Sequence, residues 1–397
     1  MGPYCTRRTL AAAVCTAALL APTVGTPVHA GRGPGAQSAN AGDGPAPTSA
    51  TVPVGPTSTG PPNEGTVRIV VAGDILPHMP VIRAACGRSV DRDAACDFER
   101  LLAPTEEIVR SADLAICHLE VPMAPEGRPV SGFPTFGAPL QLAEGIARTG
   151  WDRCSTASNH SIDKGAAGVD ATLDALDANG VGHSGTARSF VESTTTPLFE
   201  VNGVRVAHLS YTYGLNGLRL PKGEPWRVNL MNTSKILNDA AQARIEGAEL
   251  VLVSLHWGQE YRRLPTPQQR VVARELTASG SVDLVIGHHA HVVQPVESIN
   301  GHWVLFGLGN HLSAQVASRK RPVGTQDGLM VSVTFTRQPD GTMSAVTPEL
   351  HPTWVHPTSR VVHVVDDALA DESLSDRART VLNASRRRTL AAAAPVD

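Results

Sequence analysis

Val67-Arg68-Ile69-Val70-Val71-Ala72-Gly73-Asp74 is an apolar, β-branched run that ends in a glycine and a carboxylate. A run of this kind is typical of a strand that is buried on both faces of a sheet. Similar short runs recur along the chain and alternate with segments of helical spacing. The alternation predicts βαβ units and therefore an α/β domain built on a largely buried sheet.

The same periodicity places the elements that surround the first strand. It predicts strands over residues 113–117, 154–157, 204–210, 250–255 and 282–286, and helices over residues 98–112, 140–148, 168–178, 234–246 and 266–279. The turn signals Asn202-Gly203, Asn300-Gly301 and Asp340-Gly341 predict hairpins. The sequence therefore predicts a C-terminal antiparallel portion, with strands over residues 296–299, 303–308 and 330–335.

Composition divides the 397 residues into four predicted regions. Residues 1–30 resemble a signal peptide, because Arg7 and Arg8 precede the apolar run 10–24, and small residues follow at 28–30. The arginine pair is compatible with either twin-arginine or ordinary secretory export. Residues 31–65 contain eight Gly and seven Pro and predict a disordered linker. A single α/β domain is expected over 66–365, followed by a polar, frayed tail over 366–397.

Charge and hydropathy exclude two classes of protein. The chain has 34 basic and 37 acidic side chains, for a net charge of −3. This balance argues against a nucleic-acid partner, which would favour a basic excess. No stretch after the N-terminal run reaches the roughly 18 apolar residues of a membrane span, so a multispanning membrane protein is excluded. The predicted localisation is secreted or extracytoplasmic, at the cell surface.

Four cysteines remain after the predicted signal peptide. Cys86 and Cys96 flank a short polar stretch and are predicted to form a local disulfide. Cys117 and Cys154 lie in predicted strands. They are compatible either with a bond between adjacent strands or with two buried thiols.

Polar clusters that follow predicted strands are the main functional signal. The clusters are Gly73-Asp74, Leu119-Glu120, Ser158-Asn159-His160, His256-Trp257-Gly258 and Gly287-His288-His289-Ala290-His291. Because the carboxyl ends of strands meet at one crevice in α/β sheets, these side chains are expected to converge. Their oxygen and nitrogen donors suit Mn, Fe, Zn or Mg and differ from a cysteine-based structural zinc site.

The spacing of these residues suggests which of them bind metal and which one transfers a proton. His289 and His291 are two residues apart, so both imidazoles are expected on one side of an extended segment. With Asp74, Glu120 and Asn159, they could hold two divalent ions, which polarise a phosphoryl or carbonyl oxygen and generate hydroxide. His160 is predicted to be the catalytic acid, because histidine exchanges protons near neutral pH.

These motifs resemble the bacterial capsule synthesis protein CapA family of poly-γ-glutamate biosynthesis, over roughly residues 67–315. The resemblance implies a metallophosphoesterase-like, four-layer α/β/β/α sandwich with mixed sheets. It also implies that Asp74, Glu120, Asn159, His256, His289 and His291 are ligands and that His160 is the acid. Asp163, Glu260 and Asn310 match further family positions and are expected next to the ligands.

The chain departs from the related patterns at four positions. Leu76 stands where ordinary metallophosphoesterases have a histidine, and His78 is the nearest substitute along the chain. Glu120 replaces the usual bridging aspartate, while His118 and Ser158 replace asparagines of the family pattern. Phosphatase activity therefore does not follow from the resemblance alone.

Two functions remain in competition at this point. The first is an exported, metal-dependent hydrolase that acts on a phosphoester or an amide of a surface polymer. The alternative is a non-catalytic component that binds or assembles the polymer. An anionic surface polymer or its precursor is the expected partner, together with other capsule synthesis proteins. Arg262, Arg263 and the run Arg319-Lys320-Arg321 either form a basic strip for that polymer or belong to an ordinary solvated surface.

Overall fold

A computed structural model of the chain describes residues 65–88, 90–91 and 95–396. The predicted signal peptide and the predicted linker, apart from Gly65, lie outside the described residues. Within these ranges, no helix is both long enough and apolar enough to cross a membrane.

Strands and helices alternate through most of the described chain. The strands are β1 (Thr66–Leu76), β2 (Leu114–Leu119), β3 (Arg153–Ser155), β4 (Gly182–Ser184), β5 (Leu198–Val201), β6 (Val204–Thr212), β7 (Leu250–His256), β8 (Leu284–His288), β9 (Val296–Ile299), β10 (His302–Leu305), β11 (Asn310–Ser313), β12 (Asp327–Arg337), β13 (Met343–Ala345), β14 (Glu349–Val355) and β15 (Val362–Val364). The helices are α1 (Met79–Cys86), α2 (Glu99–Leu102), α3 (Glu106–Arg110), α4 (Gln141–Thr149), α5 (Gly165–Ala178), α6 (Phe190–Thr194), α7 (Thr233–Ile245), α8 (Pro267–Ala278), α9 (Val365–Ala370) and α10 (Asp376–Ala393).

The strands form two mixed sheets. The first has the order β15-β14-β12-β1-β2-β3-β4, with β11 added to β1 and β13 added to β12. Its strands β1 to β4 and β11 pair in parallel, while β12 to β15 pair antiparallel. The second sheet has the order β5-β6-β7-β8-β10-β9, with a parallel centre and an antiparallel pair at each edge.

In the described part of the chain, three apolar layers hold the sheets and helices together. Ile69 and Val71 of β1 face the second sheet, whereas Val70 and Ala72 face the helices that include α4 and α5. On the far side, Val251 and other β7 residues pack against α7 and α8. Burial on both faces explains why the strands are continuous apolar runs. The arrangement confirms the predicted four-layer α/β/β/α sandwich.

The three hairpin signals are confirmed. Asn202 and Gly203 connect β5 to β6 with φ of 50° and 73°, the positive values that a type I′ turn requires. Asn300 and Gly301 connect β9 to β10 in the same way. The Asp340-Gly341 signal lies between the antiparallel strands β12 and β13.

The predicted helix over 98–112 is not continuous. The structure divides it into α2, a 3-10 segment Ala103–Thr105, and α3. Pro104 lies within the 3-10 segment. Because proline lacks an N–H and disfavours helical geometry in the residue before it, a regular helix cannot run through this position.

The C-terminal region differs from the frayed tail expected after residue 365. It forms α9 and the 18-residue helix α10. Asp327 at the start of β12 is buried and fixes α10 in place, because it accepts hydrogen bonds from Ser385 Oγ at 2.6 Å and from Arg388 Nε at 2.8 Å. The polar composition that suggested fraying therefore includes side chains that bind the helix to the sheet.

The described residues contain two disulfide bonds. Cys86 at the end of α1 is bonded to Cys96, with an S–S distance of 2.00 Å. Cys117 of β2 is bonded to Cys154 of β3, which is its partner in the parallel register. Of the two alternatives for the second pair, the structure contains the cross-strand bond.

Candidate metal centre

The polar clusters meet at the carboxyl ends of strands from both sheets. Asp74 lies near the end of β1, and Glu120 directly follows β2. His256 and His288 are the last residues of β7 and β8, while Asn159 lies in the loop after β3. All five side chains are at least 97% buried. The convergence expected from the topology of the sheets is therefore present.

A glycine allows the first strand to deliver Asp74 to this point. At Gly73, a Cβ atom would lie 2.2 Å from the carbonyl oxygen of Gly309. The Asp74 amide donates to that same carbonyl at 2.9 Å. Any larger residue at position 73 would push β1 away from the chain segment that leads into β11.

The segment that contains His289 and His291 is not extended, contrary to the prediction. The φ angles are 87° at His289 and 53° at His291, in the left-handed region that residues other than glycine rarely adopt. Such conformations cost on the order of 1–3 kcal/mol each and tend to cluster at functional sites. The two imidazole rings are still close, with centroids 6.1 Å apart.

Two fully buried carboxylates form the centre of the cluster. Asp74 Oδ2 is 3.0 Å from His291 Nδ1, and Asp74 Oδ1 is 3.3 Å from His288 Nδ1. Glu120 Oε1 is 3.7 Å from His291 Nε2 and 3.9 Å from His256 Nε2. Donor atoms of Asp74, Glu120 and His291 all lie within 4.8 Å of one another.

The nearest polar groups to the two carboxylates, within the described part of the protein, are imidazole rings. None of the four oxygens of Asp74 and Glu120 accepts a hydrogen bond of acceptable geometry from a described residue. Burying a charge without compensation is very costly, so buried carboxylates are normally paired or bound to metal. These orphaned oxygens, together with the imidazoles around them, fit a divalent cation.

Burial and the nearby carboxylates of Asp74 and Glu120 set the pKa values of the histidines in the cluster. Burial opposes a charge on His291, but Glu120 and Asp74 outweigh it and raise the pKa of His291 to about 9. Burial holds the pKa of Glu120 well above its usual range. Burial lowers the pKa of His289 to about 3 and keeps the pKa values of His118 and His256 well below normal, so these three rings are neutral.

This protonation predicts how metal binding depends on pH. At pH 7 the metal-free His291 is protonated, because its pKa is about 9, and a metal ligand must be deprotonated. Binding should therefore release at least one proton, and affinity should rise about tenfold per pH unit from pH 7 toward 9 for each proton released. Calorimetric titrations in buffers of different ionisation enthalpy measure the proton count. An affinity that is constant between pH 7 and 9 would contradict this assignment.

Two histidines that were not among the predicted ligands belong to the cluster. His118 Nε2 is 3.0 Å from His256 Nδ1, and the His118 ring stacks on His288 with centroids 3.9 Å apart. Donor atoms of Asp74, His118 and His256 also lie within 4.8 Å of one another. His118 could have been found from the two-residue period of a strand, which places it on the same face as Glu120.

His160 lies beside the cluster and has a carboxylate partner. Its Nδ1 is 2.7 Å from Asp163 Oδ2, and its ring contacts Phe136 edge-on at 4.7 Å. Asn216 reaches the same place from the loop after β6. Its side-chain oxygen accepts from Asn159 Nδ2 at 3.2 Å, and its amide nitrogen is 3.4 Å from His160 Nε2. No sequence pattern marks Asn216, because it lies in an irregular loop.

Three further residues that the sequence singled out lie in three different places, and they are Asn310, Glu260 and His78. Asn310 is buried, with its Oδ1 3.1 Å from His291 Nδ1. Glu260 is exposed at the rim, yet its carboxylate lies within 4.8 Å of donor atoms of His289 and His291. His78 points elsewhere, because its Nδ1 is 3.0 Å from the Leu76 carbonyl oxygen and its ring contacts Phe136.

Two tyrosines flank the entrance to the cluster. The ring of Tyr213 is 4.6 Å from that of His289, and the ring of Tyr261 is 6.1 Å from that of His291. Burial raises the pKa of Tyr261, and a hydrogen bond with Arg321 opposes this rise. Arg321 therefore lies at the rim of the cluster, and Arg262 and Arg263, both exposed, directly follow Tyr261.

Comparison with known families identifies one match that covers more than half of the chain. The sequence model of the bacterial capsule synthesis protein PGA_cap family matches residues 68–315 of this chain. This range contains every side chain of the cluster described above, from Asp74 to Asn310.

Curated proteins and solved structures show further similarity. The chain is 29% identical to the capsule biosynthesis protein CapA of Bacillus anthracis, over 49% of this chain and 47% of that protein. It is also 29% identical to the PGA biosynthesis protein CapA of Bacillus subtilis, over 50% of each. The chain thus spans about half the length of these relatives. A calcineurin-like phosphoesterase from Bacillus subtilis superposes with a TM-score of 0.43 and 14% identity, covering 82% of this chain and 98% of that structure.

Proposed function

Because the chain belongs to the bacterial capsule synthesis protein PGA_cap family, we propose that it is a metal-dependent hydrolase of capsule or poly-γ-glutamate synthesis or export. Its substrate is a phosphoester or an amide of a surface polymer. The observation that supports the proposal most strongly is the pair of buried carboxylates, Asp74 and Glu120, whose oxygens accept no hydrogen bond from the described residues.

The proposed centre holds two divalent ions. Asp74, Glu120 and His291 offer one set of donors. Asn159 and His256, with His289 whose ring lies 4.7 Å from that of His256, would complete the second set with Glu120. Glu260 extends the outer side of the cluster. Bound ions would polarise the scissile group and lower the pKa of water. The mixed oxygen and nitrogen donors suit Mn, Fe, Zn or Mg.

His160 is the proposed general acid. Asp163 Oδ2 accepts a hydrogen bond from the Nδ1–H of His160 at 2.7 Å, which orients the ring. The Nε2 atom then holds the proton that is transferred to the leaving group. Phe136 packs edge-on against the ring, with centroids 4.7 Å apart. His160 is 8% exposed, which is consistent with a residue that meets a substrate arriving from solvent.

The rim of the cluster suggests how an anionic polymer is bound. The net charge of −3 provides no general attraction for a polyanion. A local cluster of guanidinium groups can supply it, because arginine binds carboxylate and phosphate in a bidentate manner. Arg321 at Tyr261, with the exposed Arg262 and Arg263, is therefore the proposed polymer-binding edge.

We also propose that the protein acts outside the cytoplasm, at the cell surface. The N-terminal apolar run after Arg7 and Arg8 has the pattern of a secretory signal. Two disulfide bonds in the folded part are typical of an oxidising compartment. Other capsule synthesis proteins are the proposed partners there.

One observation favours a second function, in which the protein binds or assembles the polymer without cleaving it. Leu76 occupies the position where metallophosphoesterases have a histidine, and its side chain is buried and apolar. His78 does not replace that imidazole, because its Nδ1 bonds to the Leu76 carbonyl oxygen. One imidazole ligand of ordinary metallophosphoesterases therefore has no equivalent at this point in the sequence.

A substrate panel separates the two functions. Purified protein, loaded in turn with Mn, Fe, Zn and Mg, is incubated with phosphomonoesters, phosphodiesters, γ-glutamyl peptides and poly-γ-glutamate. The hydrolase proposal predicts metal-dependent turnover of at least one class and its loss in the Asp74→Ala variant. Metal-dependent binding of poly-γ-glutamate without any turnover would support the assembly function and contradict the hydrolase.

A further inference from the structure

A continuous series of polar contacts runs behind the proposed ligands. Ser155 Oγ is 2.7 Å from His118 Nδ1, and His118 Nε2 is 3.0 Å from His256 Nδ1. On its other side, His256 Nε2 is 2.9 Å from Asn159 Oδ1. All four side chains are at least 98% buried, so no nitrogen of either imidazole is left to solvent.

This series has two complete proton arrangements, because a neutral imidazole has one N–H and one lone pair. In the first arrangement every donor points toward Asn159. The Ser155 hydroxyl donates to His118, the His118 Nε2–H donates to His256, and the His256 Nε2–H donates to Asn159 Oδ1. This arrangement uses one of the two lone pairs of Asn159 Oδ1 and leaves none on His256 Nε2.

In the second arrangement every donor is reversed. Ser155 donates to the Cys117 carbonyl oxygen, 3.4 Å away, and accepts the Nδ1–H of His118. His118 Nε2 then accepts the Nδ1–H of His256. Only this arrangement leaves a free lone pair on His256 Nε2, which is 3.9 Å from Glu120 Oε1, and leaves Asn159 Oδ1 free as well.

We propose that His118 is a positioning residue that holds His256 as the Nδ1–H tautomer, so that His256 Nε2 is available as a metal ligand. The proposal rests on the metal centre proposed above. An imidazole suits this role because it accepts a hydrogen bond on one edge while it donates on the other, toward Ser155. Hydrogen bonds of this kind behind a histidine ligand fix both its tautomer and its orientation.

The packing around His118 supports a fixed position. Its ring lies flat on His288, with an interplanar angle of 13°. His288 Nδ1 in turn is 3.3 Å from Asp74 Oδ1. The stacked pair therefore contacts His256 through His118 and Asp74 through His288. Direct ligation by His118 is the rival, because donor atoms of Asp74, His118 and His256 lie within 4.8 Å of one another.

Metal affinity measured by competition with a chelator tests the proposal. The His118→Ala variant should bind about 10–100-fold more weakly, the usual effect of removing a hydrogen-bond partner behind a ligand, with an unchanged number of ions. The His118→Asn variant, which restores the residue of the family pattern, should recover most of the lost affinity. His208→Ala is the matched control, because His208 is equally buried and pairs with Ser254 through its Nε2 at 2.9 Å.

A second readout uses the wild-type protein and does not depend on the folding of a variant. Nitrogen-15 NMR of the histidine rings should show both His118 and His256 protonated at Nδ1 in the metal-loaded protein. Protonation of His256 at Nε2 in that state would overturn the proposal. So would an unchanged affinity of His118→Ala, or the loss of one ion, which would make His118 a ligand. A wild-type protein that binds no ion would overturn the metal centre as well, and this outcome is distinct from the others.

Discussion

Replacing both His289 and His291 with alanine is expected to abolish stoichiometric binding of divalent metal. The double variant removes two imidazoles that lie within 4.8 Å of the Glu260 carboxylate. It also removes the ring of His291, whose Nδ1 is 3.0 Å from Asp74 Oδ2 and whose Nε2 is 3.7 Å from Glu120 Oε1. Elemental analysis after chelation and reloading should show one or two ions in the wild type and a substoichiometric amount in the variant.

A matched control is available on the same chain. His356 and His363 have ring centroids 6.3 Å apart, a separation close to the 6.1 Å of His289 and His291. They contact Trp354 and are absent from the groups of candidate ligands among the described residues. The His356→Ala/His363→Ala variant should keep its metal. An unchanged metal content in the His289→Ala/His291→Ala variant would reject the ligand assignment.

Replacing His160 with alanine is expected to preserve metal binding and to lower turnover by about 10²–10⁴-fold, the usual contribution of a positioned acid or base. The imidazole bonds to Asp163, and donor atoms of His160 are absent from the ligand groups found in the described part of the chain. Turnover is measured on the substrate identified by the panel, and metal content is measured on the same preparation. The Asp74→Ala variant should instead lose metal and activity together.

The control for His160 is His78. Its ring contacts the same Phe136 ring, at 5.3 Å, but its Nδ1 bonds to the backbone of Leu76. The His78→Ala variant should therefore retain most of the activity. Full activity of His160→Ala would contradict the acid role, and depletion of metal would make His160 a ligand. If the panel yields no substrate, polymer production in cells that express each variant is the measurement.

The parts of the site that follow strands could be predicted from the sequence. Asp74, His256 and His288 end or nearly end buried parallel strands, and such ends meet wherever a sheet has this topology. The apolar runs around β1 predicted a sheet that is buried on both faces, because such burial leaves continuous apolar strands. The four-layer architecture followed from the family resemblance.

The remaining features depend on contacts between distant segments. The strand period could have placed His118 on the same face as Glu120, but not its contacts, because its partners Ser155 and His256 are 37 and 138 residues away. The strained backbone at His289 cannot be deduced from a two-residue spacing. The helix α10 was predicted as a frayed tail because its stabilising contact, between Arg388 and the buried Asp327, joins residues 61 positions apart.

The position of the bound ions is the most direct test of the proposed metal centre. Crystals of the metal-loaded protein, measured on both sides of the absorption edge of the metal, give an anomalous difference map that locates each ion. The proposal predicts peaks between Asp74, Glu120 and His291, and beside His256 Nε2 and Asn159 Oδ1. A fully loaded crystal whose only anomalous peaks lie away from Asp74 and Glu120 would contradict it.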